Sequence, residues 1–440
     1  MGKTKKIRSD VVRDSLNTFG TNAVGALLML VVNFVVLRKV NPNIRGYYTS
    51  VQTWGGGFYT ILSLSIAASV IYFVARYKIQ NTKGSLLRLT VSIFLGIGVL
   101  GALALFLLRR AGLFQFDAMP VSFLAATVVY ALCSLALSVA TGVLRGENKF
   151  KSFNVVNLTQ RVCLAVLYLA VALKPSAGLW IWGTNAIMVA MTVLALLGIR
   201  RWSGPRPKPA PEDDRAVGTG EMTAYSLKAH VSNVLTYVNT YLGNYIVQGK
   251  FNIANLGVYN TAFTIMQQVW ILPDAVSQVI MSRIAAMSEK KDQLRLTLIS
   301  AKVVFYMTAV AALLVLWMAY LFIPWLFPMY AGAVEPLAYL IVGSVFISYA
   351  KVLGNSIAAY GRPELNIIPT VVGILSNVAA SFVFIPMLHV NGVALASSVS
   401  FTLQGIANIV IFCVYSHIPA YRLFLPTREE FAAVRGAIHR

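Results

Sequence analysis

Residues 15–48 read SLNTFGTNAVGALLMLVVNFVVLRKVNPNIRGYY, and residues 226–259 read SLKAHVSNVLTYVNTYLGNYIVQGKFNIANLGVY. The two stretches align without a gap when the first residue of one is placed on the first residue of the other. The residues Ser15, Leu16, Asn22, Asn33, Val36, Asn41, Gly46 and Tyr48 recur as Ser226, Leu227, Asn233, Asn244, Val247, Asn252, Gly257 and Tyr259. Because an internal repeat determines the architecture of a whole chain, the sequence predicts two homologous halves.

The composition is that of an integral membrane protein. Hydrophobic residues make up 58% of the 440 residues, charged residues only 12%, and the mean hydropathy is +0.70. An ordinary soluble domain has about a quarter of its residues charged. Apolar runs of about 20 residues recur along the chain, which is the length of a membrane-spanning helix. The predicted fold class is therefore an all-α membrane protein.

We predict twelve transmembrane helices, six in each half. The predicted spans are 15–38, 47–74, 88–108, 119–143, 152–173, 178–199, 222–248, 256–283, 297–322, 334–359, 365–388 and 391–415. Most of the 37 Lys and Arg residues lie in loops on the side of the N-terminus, so the positive-inside rule places both termini in the cytoplasm. This topology accounts for the net charge of +22 without a nucleic acid partner.

The spans define five segments. They are a basic cytoplasmic arm (1–14), an N-lobe (15–199), a proline-rich cytoplasmic linker (200–221), a C-lobe (222–415) and an interfacial cytoplasmic tail (416–440). Alternating prolines in the linker favour an extended segment. In the tail, Thr427 and Glu430 form a capping box that opens a short helix. Because each lobe has six spans, the two repeats are expected to have the same orientation in the membrane.

Polar side chains form a stripe along span seven and another along span eight, because they recur three, four or seven positions apart and so share one helical face. The stripes comprise Ser226, His230, Asn233, Tyr237, Thr240 and Asn244, and Asn260, Thr264, Gln267, Asp274 and Gln278. The first span adds Asn22 and Asn33. Polar groups are unfavourable in lipid, so they either bond neighbouring helices or line a hydrated cavity. Two stripes on consecutive helices favour the cavity.

Ionisable residues inside spans cost about 2.5–3.5 kcal/mol each at a helix centre and therefore indicate function. The sequence places Arg161 in span five, Asp274 in span eight and Lys351 in span ten, with Lys228 near the cytoplasmic end of span seven. Asp274 could neutralise Lys351 or Arg161 in a structural pair, and Lys228 could reach the headgroups. One acid cannot neutralise three cations. The surplus of positive charge indicates an anionic ligand, most naturally phosphate.

No catalytic or metal-binding pattern is found in the sequence. The four His residues are scattered, most acids lie in loops, and no nucleophile motif or metal-ligand spacing occurs. Cys133, Cys163 and Cys413 lie singly in apolar runs and are expected to be packing residues. We therefore expect neither an enzyme nor a resident cofactor or metal.

Several short motifs carry a resemblance to a known family. They are Leu144-Arg145-Gly146 after span four, Gly257-Val258-Tyr259 at the start of span eight, Tyr360-Gly361-Arg362 after span ten, and Ile385-Pro386 followed by Gly392-Val393-Ala394-Leu395-Ala396. Through them nearly the whole chain resembles the polysaccharide transporter family (Wzx-type flippases) of the MOP superfamily, which also contains the MATE exporters and the lipid II flippases. That family commonly has an acid late in span seven, where this chain has Gly243-Asn244.

The resemblance implies two six-helix lobes around a central cavity that opens alternately to each side of the bacterial cytoplasmic (inner) membrane. It implies export of an undecaprenyl-diphosphate-linked oligosaccharide for O-antigen, lipopolysaccharide or exopolysaccharide biosynthesis. The diphosphate would bind Arg161, Lys351 and Lys228, the glycan would bind the Asn, Gln, Thr and Tyr side chains of the stripes and Asn22 and Asn33, and Asp274 would couple transport to H⁺ or Na⁺.

The expected partners are the bilayer, the lipid-linked oligosaccharide and assembly proteins such as a polysaccharide polymerase. The main alternative is a MATE-like antiporter of organic cations, which would require acids in its cavity. A membrane-embedded polymerase or acyltransferase would require a large outer loop, whereas the predicted outer loops are short. A scaffold without transport would not require buried charges.

Overall fold

The computed structural model describes residues 20, 24–77, 79–201, 216–287 and 289–425, without the side chains at 79, 80, 200, 201, 228, 229, 278, 282, 285 and 286. The predicted all-α class is confirmed, because the described residues form helices and include no strand. The helices are α1 (24–39), α2 (Pro42–Leu62), α3 (Ile66–Arg76), α4 (Ile79–Arg110), α5 (Val121–Gly146), α6 (Phe150–Leu173), α7 (Ala177–Arg201), α8 (Thr219–Lys250), α9 (Ile253–Val269), α10 (Ile271–Ala286), α11 (Lys290–Leu326), α12 (Val334–Ala359), α13 (Ile367–Ser416) and α14 (Tyr421–Phe424).

Each predicted span overlaps a helix or a pair of helices. α2 and α3 share the second predicted span, α9 and α10 share the eighth, and α13 covers the last two with a break at His389. Among the described residues, seven helices are long and apolar enough to cross a membrane, or eight if the bent pair of α2 and α3 counts as one span. The chain is thus a multi-pass membrane protein, while the count of twelve spans stays a prediction.

Three of the predicted segments lie wholly or partly outside the described residues. They are the basic arm, most of the proline-rich linker and the tail beyond residue 425. The described end of the linker packs on the helices that precede it. The Val217 amide donates to the Asn81 carbonyl at 3.0 Å, and the Ser85 hydroxyl donates to the Val217 carbonyl at 2.6 Å. The chain is therefore fixed to the start of α4 just before α8 begins.

The chain divides into two compact units. The first is Met1–Tyr237 with Gln248–Gly257, and the second is Val238–Val247 with Val258–Arg440. α8 therefore contributes to both units, and its first half belongs to the unit that contains α1 to α7. The assignment of lobes to 15–199 and 222–415 stays a prediction.

The internal repeat is visible in the helix caps. The side-chain oxygen of Asn41 accepts a hydrogen bond from the Ile44 amide at 2.9 Å at the start of α2. The Asn252 side chain accepts from the Asn255 amide at 2.8 Å at the start of α9. Each Asn satisfies an amide in the first turn that has no partner within its helix. The two aligned asparagines thus have the same structural role.

Two aligned glycines bring the starts of α2 and α9 into direct contact within the first unit. A Cβ atom added at Gly46 would overlap the Ile253 carbonyl oxygen, and one added at Gly257 would overlap the Pro42 carbonyl oxygen. Pro42 and Ile253 are themselves aligned positions of the repeat. The contact is therefore reciprocal, and it requires a residue without a side chain at both positions.

The aligned tyrosines Tyr48 and Tyr259 anchor the interior of one unit each. Tyr48 stacks on Trp180 with ring centroids 4.1 Å apart, and its hydroxyl lies 3.2 Å from that of Tyr168. The Tyr259 hydroxyl lies 3.2 Å from the Ser397 hydroxyl. Both rings are buried, and a buried hydroxyl is costly without a hydrogen-bond partner. The hydroxyls of Tyr168 and Ser397 provide these partners.

Two helix breaks fall within predicted spans, and a third separates the last two spans. α2 and α3 meet at a bend of 53°, where Leu64 and Ser65 adopt left-handed backbone angles (φ of 49° and 53°). α9 ends at Val269 because Pro273 has no N–H to donate to the Val269 carbonyl. α13 breaks at His389, which has φ 50° and ψ −123°.

The short helix α14 closes one end of the second unit. The Tyr306 hydroxyl donates to the Phe424 carbonyl at 2.7 Å, and the Tyr349 hydroxyl donates to the Leu423 carbonyl at 3.0 Å. The side chain of Leu423 is completely buried against α11 and α12, in one apolar cluster with Tyr349. The described start of the tail is thus part of the packed structure.

Candidate substrate-binding site

An ion pair lies between α10 and α12 in the second unit. The Lys351 Nζ atom is 2.6 Å from Asp274 Oδ1. The lysine side chain is 23% exposed and the aspartate side chain 46% exposed. Of the two pairings that the sequence left open for Asp274, the structure has the one with Lys351. Neither charge is fully buried, so the pair lies at a surface of the unit.

The ammonium group of Lys351 also lies over an aromatic ring. Its Nζ atom is 4.7 Å from the centroid of the Trp270 ring, which is within the range of a cation–π interaction. Trp270 is 7% exposed and packs edge-on against Phe263 and Phe401. The ring is therefore a fixed support for the cation. Trp270 stands at the break between α9 and α10, where Pro273 interrupts the helix.

Two serines that precede Lys351 on the same face of α12 are not available to a ligand. The Ser344 hydroxyl donates to the Ile341 carbonyl and the Ser348 hydroxyl to the Val345 carbonyl, both at 2.6 Å. Both side chains are buried. Near this point, Lys351 and Asn355 are the half-buried polar residues of this face.

Arg161 lies in the first unit, on α6. Its side chain crosses Gly25 of α1 so closely that a Cβ atom there would overlap the arginine Cδ atom. The residue is half-buried. The glycine thus makes room for the arginine stem, and the guanidinium is held against α1. Arg161 belongs to the first unit and Lys351 to the second. Each is therefore a cation site of its own unit.

The first part of the α8 stripe makes contacts with α2 and α3. Asn233 donates to the Ser65 hydroxyl at 2.9 Å, and the His230 Nδ1 atom lies 3.4 Å from the same hydroxyl. The Tyr237 hydroxyl donates to the Thr53 carbonyl at 2.7 Å. Ser65 is the left-handed residue at the bend between α2 and α3. These three side chains therefore act first as helix-contact groups, Asn233 and His230 at the bend and Tyr237 along α2.

Ser226 lies in the first unit and is buried, whereas the remaining stripe residues lie in the second unit and are mostly half-buried. The Thr264 hydroxyl donates to the Asn260 side chain at 3.4 Å, and Tyr241 hydrogen-bonds Gln267. Thr240 is half-buried and Asn244 is buried, at 2% exposure. In the first unit, Asn33 donates to the Met29 carbonyl of its own helix at 2.8 Å. Asn22 and the side chains of Lys228 and Gln278 lie outside the described residues.

The sequence did not single out a buried polar network in the second unit. Asn239 donates to the Gln404 side chain at 2.8 Å and accepts from the Ser400 hydroxyl at 3.0 Å, and Ser400 also donates to the Gly373 carbonyl. Gln404 reaches Thr370 at 3.3 Å. The network connects α8 to both halves of α13. Asn239 lies beside the polar stripe of α8 rather than on it. The spacing of polar residues that identified the stripe therefore does not identify Asn239.

Replacing Asn239 by Ala is expected to lower the free energy of unfolding by about 1–3 kcal/mol, because buried polar partners lose their hydrogen bonds. The matched control is Asn233→Ala on the same helix, which removes one hydrogen bond of an exposed side chain. Denaturant unfolding of the full-length protein in detergent measures both. Equal effects in the two variants would contradict the structural role of Asn239.

Two further polar residues were not singled out from sequence. Lys302 on α11 is 5% exposed although it falls inside the predicted span 297–322. Gln248, at 1% exposure, accepts from the Trp54 indole at 3.1 Å and donates to the Phe114 carbonyl at 3.0 Å. Lys302 lies one turn and a half from the predicted start of its span. Its position there could have indicated a buried charge.

The fold is similar to the folds of several membrane transporters of known structure. The lipid II flippase MurJ in an inward closed conformation is similar at a TM-score of 0.70 and 12% identity, over 94% of this chain and 89% of that chain. An inward-facing multidrug resistance MATE family transporter is similar at a TM-score of 0.67 and 14% identity, over 89% of this chain and 94% of that chain. A MOP superfamily transporter from Pyrococcus furiosus, described as having a binding pocket of reverse polarity, is similar at a TM-score of 0.62 and 15% identity. The match covers 92% of this chain and 95% of that chain. At these identities, the likeness establishes the fold.

The sequence itself identifies the family. Residues 85–328, more than half of the chain, match the family described as polysaccharide biosynthesis protein. The chain belongs to that family, and the resemblance expected from its motifs is confirmed. No curated protein matches the sequence. The chain is thus a member of a polysaccharide biosynthesis family and has a fold similar to that of MurJ and the MATE transporters.

Proposed function

We propose that the protein flips an undecaprenyl-diphosphate-linked oligosaccharide from the inner to the outer leaflet of the cytoplasmic membrane by alternating access. The single observation that carries this proposal is the position of Lys351. Its side chain is 23% exposed, lies in the C-terminal half of an apolar helix and has its ammonium group over the Trp270 ring. A cation that is costly within the membrane and still reachable by solvent is suited to an anionic headgroup.

Positively charged side chains account for binding of the diphosphate. Charge-assisted hydrogen bonds from Lys and Arg to phosphate oxygens are among the strongest that a protein makes. Arg161 and Lys351 provide one such group in each unit, and Lys228 is a third candidate from the sequence. The lipid tail remains in the bilayer, so only the headgroup needs a polar route.

Neutral polar side chains account for binding of the glycan. A sugar presents many hydroxyl groups, which hydrogen-bond to amide, hydroxyl and phenol side chains. Asn260, Thr264 and Gln267 on α9 are half-buried and therefore partly accessible. The proposed glycan site also includes Asn22, Asn33, Asn233, Tyr237, Thr240, Asn244 and Gln278.

The proposed direction of transport follows from the charge on the substrate. An inside-negative potential favours outward movement of an anion by about 2.3 kcal/mol for each charge per 100 mV. We propose both termini in the cytoplasm, coupling to H⁺ or Na⁺ as a second driving force, and assembly proteins such as a polysaccharide polymerase as partners. The coupling site proposed from sequence is Asp274.

The expected result in proteoliposomes is flipping of a fluorescent undecaprenyl-diphosphate oligosaccharide that increases with an imposed inside-negative potential. Arg161→Ala and Lys351→Ala are each expected to reduce the flipping rate by about tenfold or more, since each removes a charged contact. Full flipping in both variants would show that the buried cations are structural. A rate independent of potential would contradict the proposed driving force.

A second candidate function is MATE-like export of organic cations. The observation that favours it is the Asp274 carboxylate, which is 46% exposed and could face a cationic ligand. Against it, the carboxylate is already paired with a lysine. Ethidium efflux from cells that express the chain distinguishes the two: efflux without flipping of any lipid-linked glycan supports the MATE-like function.

A further inference from the structure

The two groups that hold Lys351 lie on opposite sides of a helix break. Trp270 follows the last residue of α9, and Asp274 lies in the first turn of α10. The ring is buried and fixed by two aromatic neighbours, whereas the aspartate side chain is half-exposed. The contact of the ammonium with Trp270 is therefore with a fixed group, whereas its contact with Asp274 is with a group that water can reach.

The Asp274 carboxylate is held by Lys351 alone among the side chains that the structure describes. The nearby Ser277 hydroxyl donates to the main-chain carbonyls of Pro273 and Asp274, not to the carboxylate. A half-exposed carboxylate with one partner can leave that partner and be hydrated in its place. The cost of separation is low compared with that of a fully buried pair.

The pair must face water rather than lipid. A charged group in the hydrocarbon region costs about 2.5–3.5 kcal/mol at a helix centre, and a partly exposed carboxylate would meet the lipid directly. Ser277, one turn after Asp274 on α10, is buried, and so are Ile280 and Ile284. A water-facing position, which a dissolved anion can reach, is therefore the less costly one for the exposed part of the Asp274–Lys351 pair.

We propose that Asp274 is an internal counter-anion of Lys351 that the diphosphate of the substrate displaces. This inference rests on the proposed function, because it assigns the substrate phosphate to Lys351. Exchange of a carboxylate oxygen for a phosphate oxygen preserves a charge-assisted hydrogen bond on the ammonium. Trp270 holds the ammonium in place during the exchange. In the empty protein the pair is neutral, and in the loaded protein Asp274 is hydrated.

A counter-anion has a different effect from an ion-coupling acid. Asp274 competes with the substrate for Lys351, so it weakens anion binding and accelerates release. Its removal should tighten binding of a diphosphate. Removal of an ion-coupling acid should instead leave the affinity for a diphosphate unchanged and abolish the response of transport to the ion gradient. The two roles of Asp274 are thus separable by a binding measurement.

The test is titration calorimetry of inorganic pyrophosphate on the full-length protein in nanodiscs. We expect Asp274→Asn to bind about 5- to 10-fold more tightly than wild type and Lys351→Met about tenfold or more weakly, as for loss of a competing or a direct charge. In the double variant, the asparagine should have no effect beyond that of the methionine. The matched control is Glu364→Gln, which removes the partner of Arg362 in another 2.6 Å pair of the same unit, with both side chains 56% exposed.

Unchanged or weaker binding in Asp274→Asn overturns the counter-anion, and so does equal tightening in Glu364→Gln, which would be a general charge effect. Absence of pyrophosphate binding to wild type and Asp274→Asn also overturns it. The flipping assay on wild type is read separately. Flipping without tightening rejects this inference alone, whereas tightening without flipping rejects the proposed function and leaves Lys351 as a displaceable anion site.

Discussion

Gly257→Ala is expected to lower the free energy of unfolding by about 3 kcal/mol, at the upper end of the range for overpacking. The added methyl group would overlap the Pro42 carbonyl oxygen, which belongs to the capped start of α2 and cannot rotate away. Gly46→Ala should have a similar effect through the Ile253 carbonyl. Denaturant unfolding of the detergent-solubilised full-length protein measures both.

The control for these variants is Gly96→Ala in the middle of α4, where a Cβ atom meets nothing within 4 Å. Alanine is the better helix former by about 1 kcal/mol, so this variant should be neutral or slightly more stable than wild type. Stability of Gly257→Ala equal to that of Gly96→Ala would show that α2 and α9 do not approach as closely as described.

Leu423→Ala is expected to cost about 2–5 kcal/mol, the range for truncation of a fully buried leucine. The leucine side chain has no exposed surface and belongs to the apolar cluster of α10 to α13. Its loss leaves a cavity beneath α14, next to the hydroxyl that Tyr349 donates to the Leu423 carbonyl. Thermal unfolding of the full-length protein in detergent is the measurement.

Leu425→Ala is the matched control, because this leucine lies two residues further on and is 61% exposed. Its effect should stay within about 0.5 kcal/mol, as for other surface substitutions. Equal loss of stability in the two variants would mean that the tail contributes only general hydrophobicity and that α14 is not packed as described.

The architecture was largely predictable because it follows from patterns that repeat. Apolar runs of membrane-spanning length predicted an all-α protein, and the aligned residues of the repeat predicted two homologous halves. The break before α10 follows from Pro273, whose missing amide hydrogen is a property of the sequence alone. Such features depend on residues that are close together in the sequence, so they can be predicted from the sequence.

The site was only partly predictable because it depends on which helix faces meet. From sequence, Asp274 had two possible partners, and only the packing of α10 on α12 selects Lys351. Asn233 and Tyr237 were expected to face a cavity, yet they hydrogen-bond Ser65 and Thr53 at the break and along α2. Their periodicity identified a polar face correctly but could not say what that face touches. Their role in binding a glycan stays a prediction.

The reciprocal contact of Gly46 and Gly257 has the form of an isologous interface. Each copy of the repeat presents the same glycine to the carbonyl oxygen that its counterpart presents in return, which is the pattern of a two-fold symmetric dimer. In this chain both halves of the contact belong to one polypeptide, so either glycine can be substituted without the other, and a side chain at either position meets a carbonyl oxygen of the opposite helix.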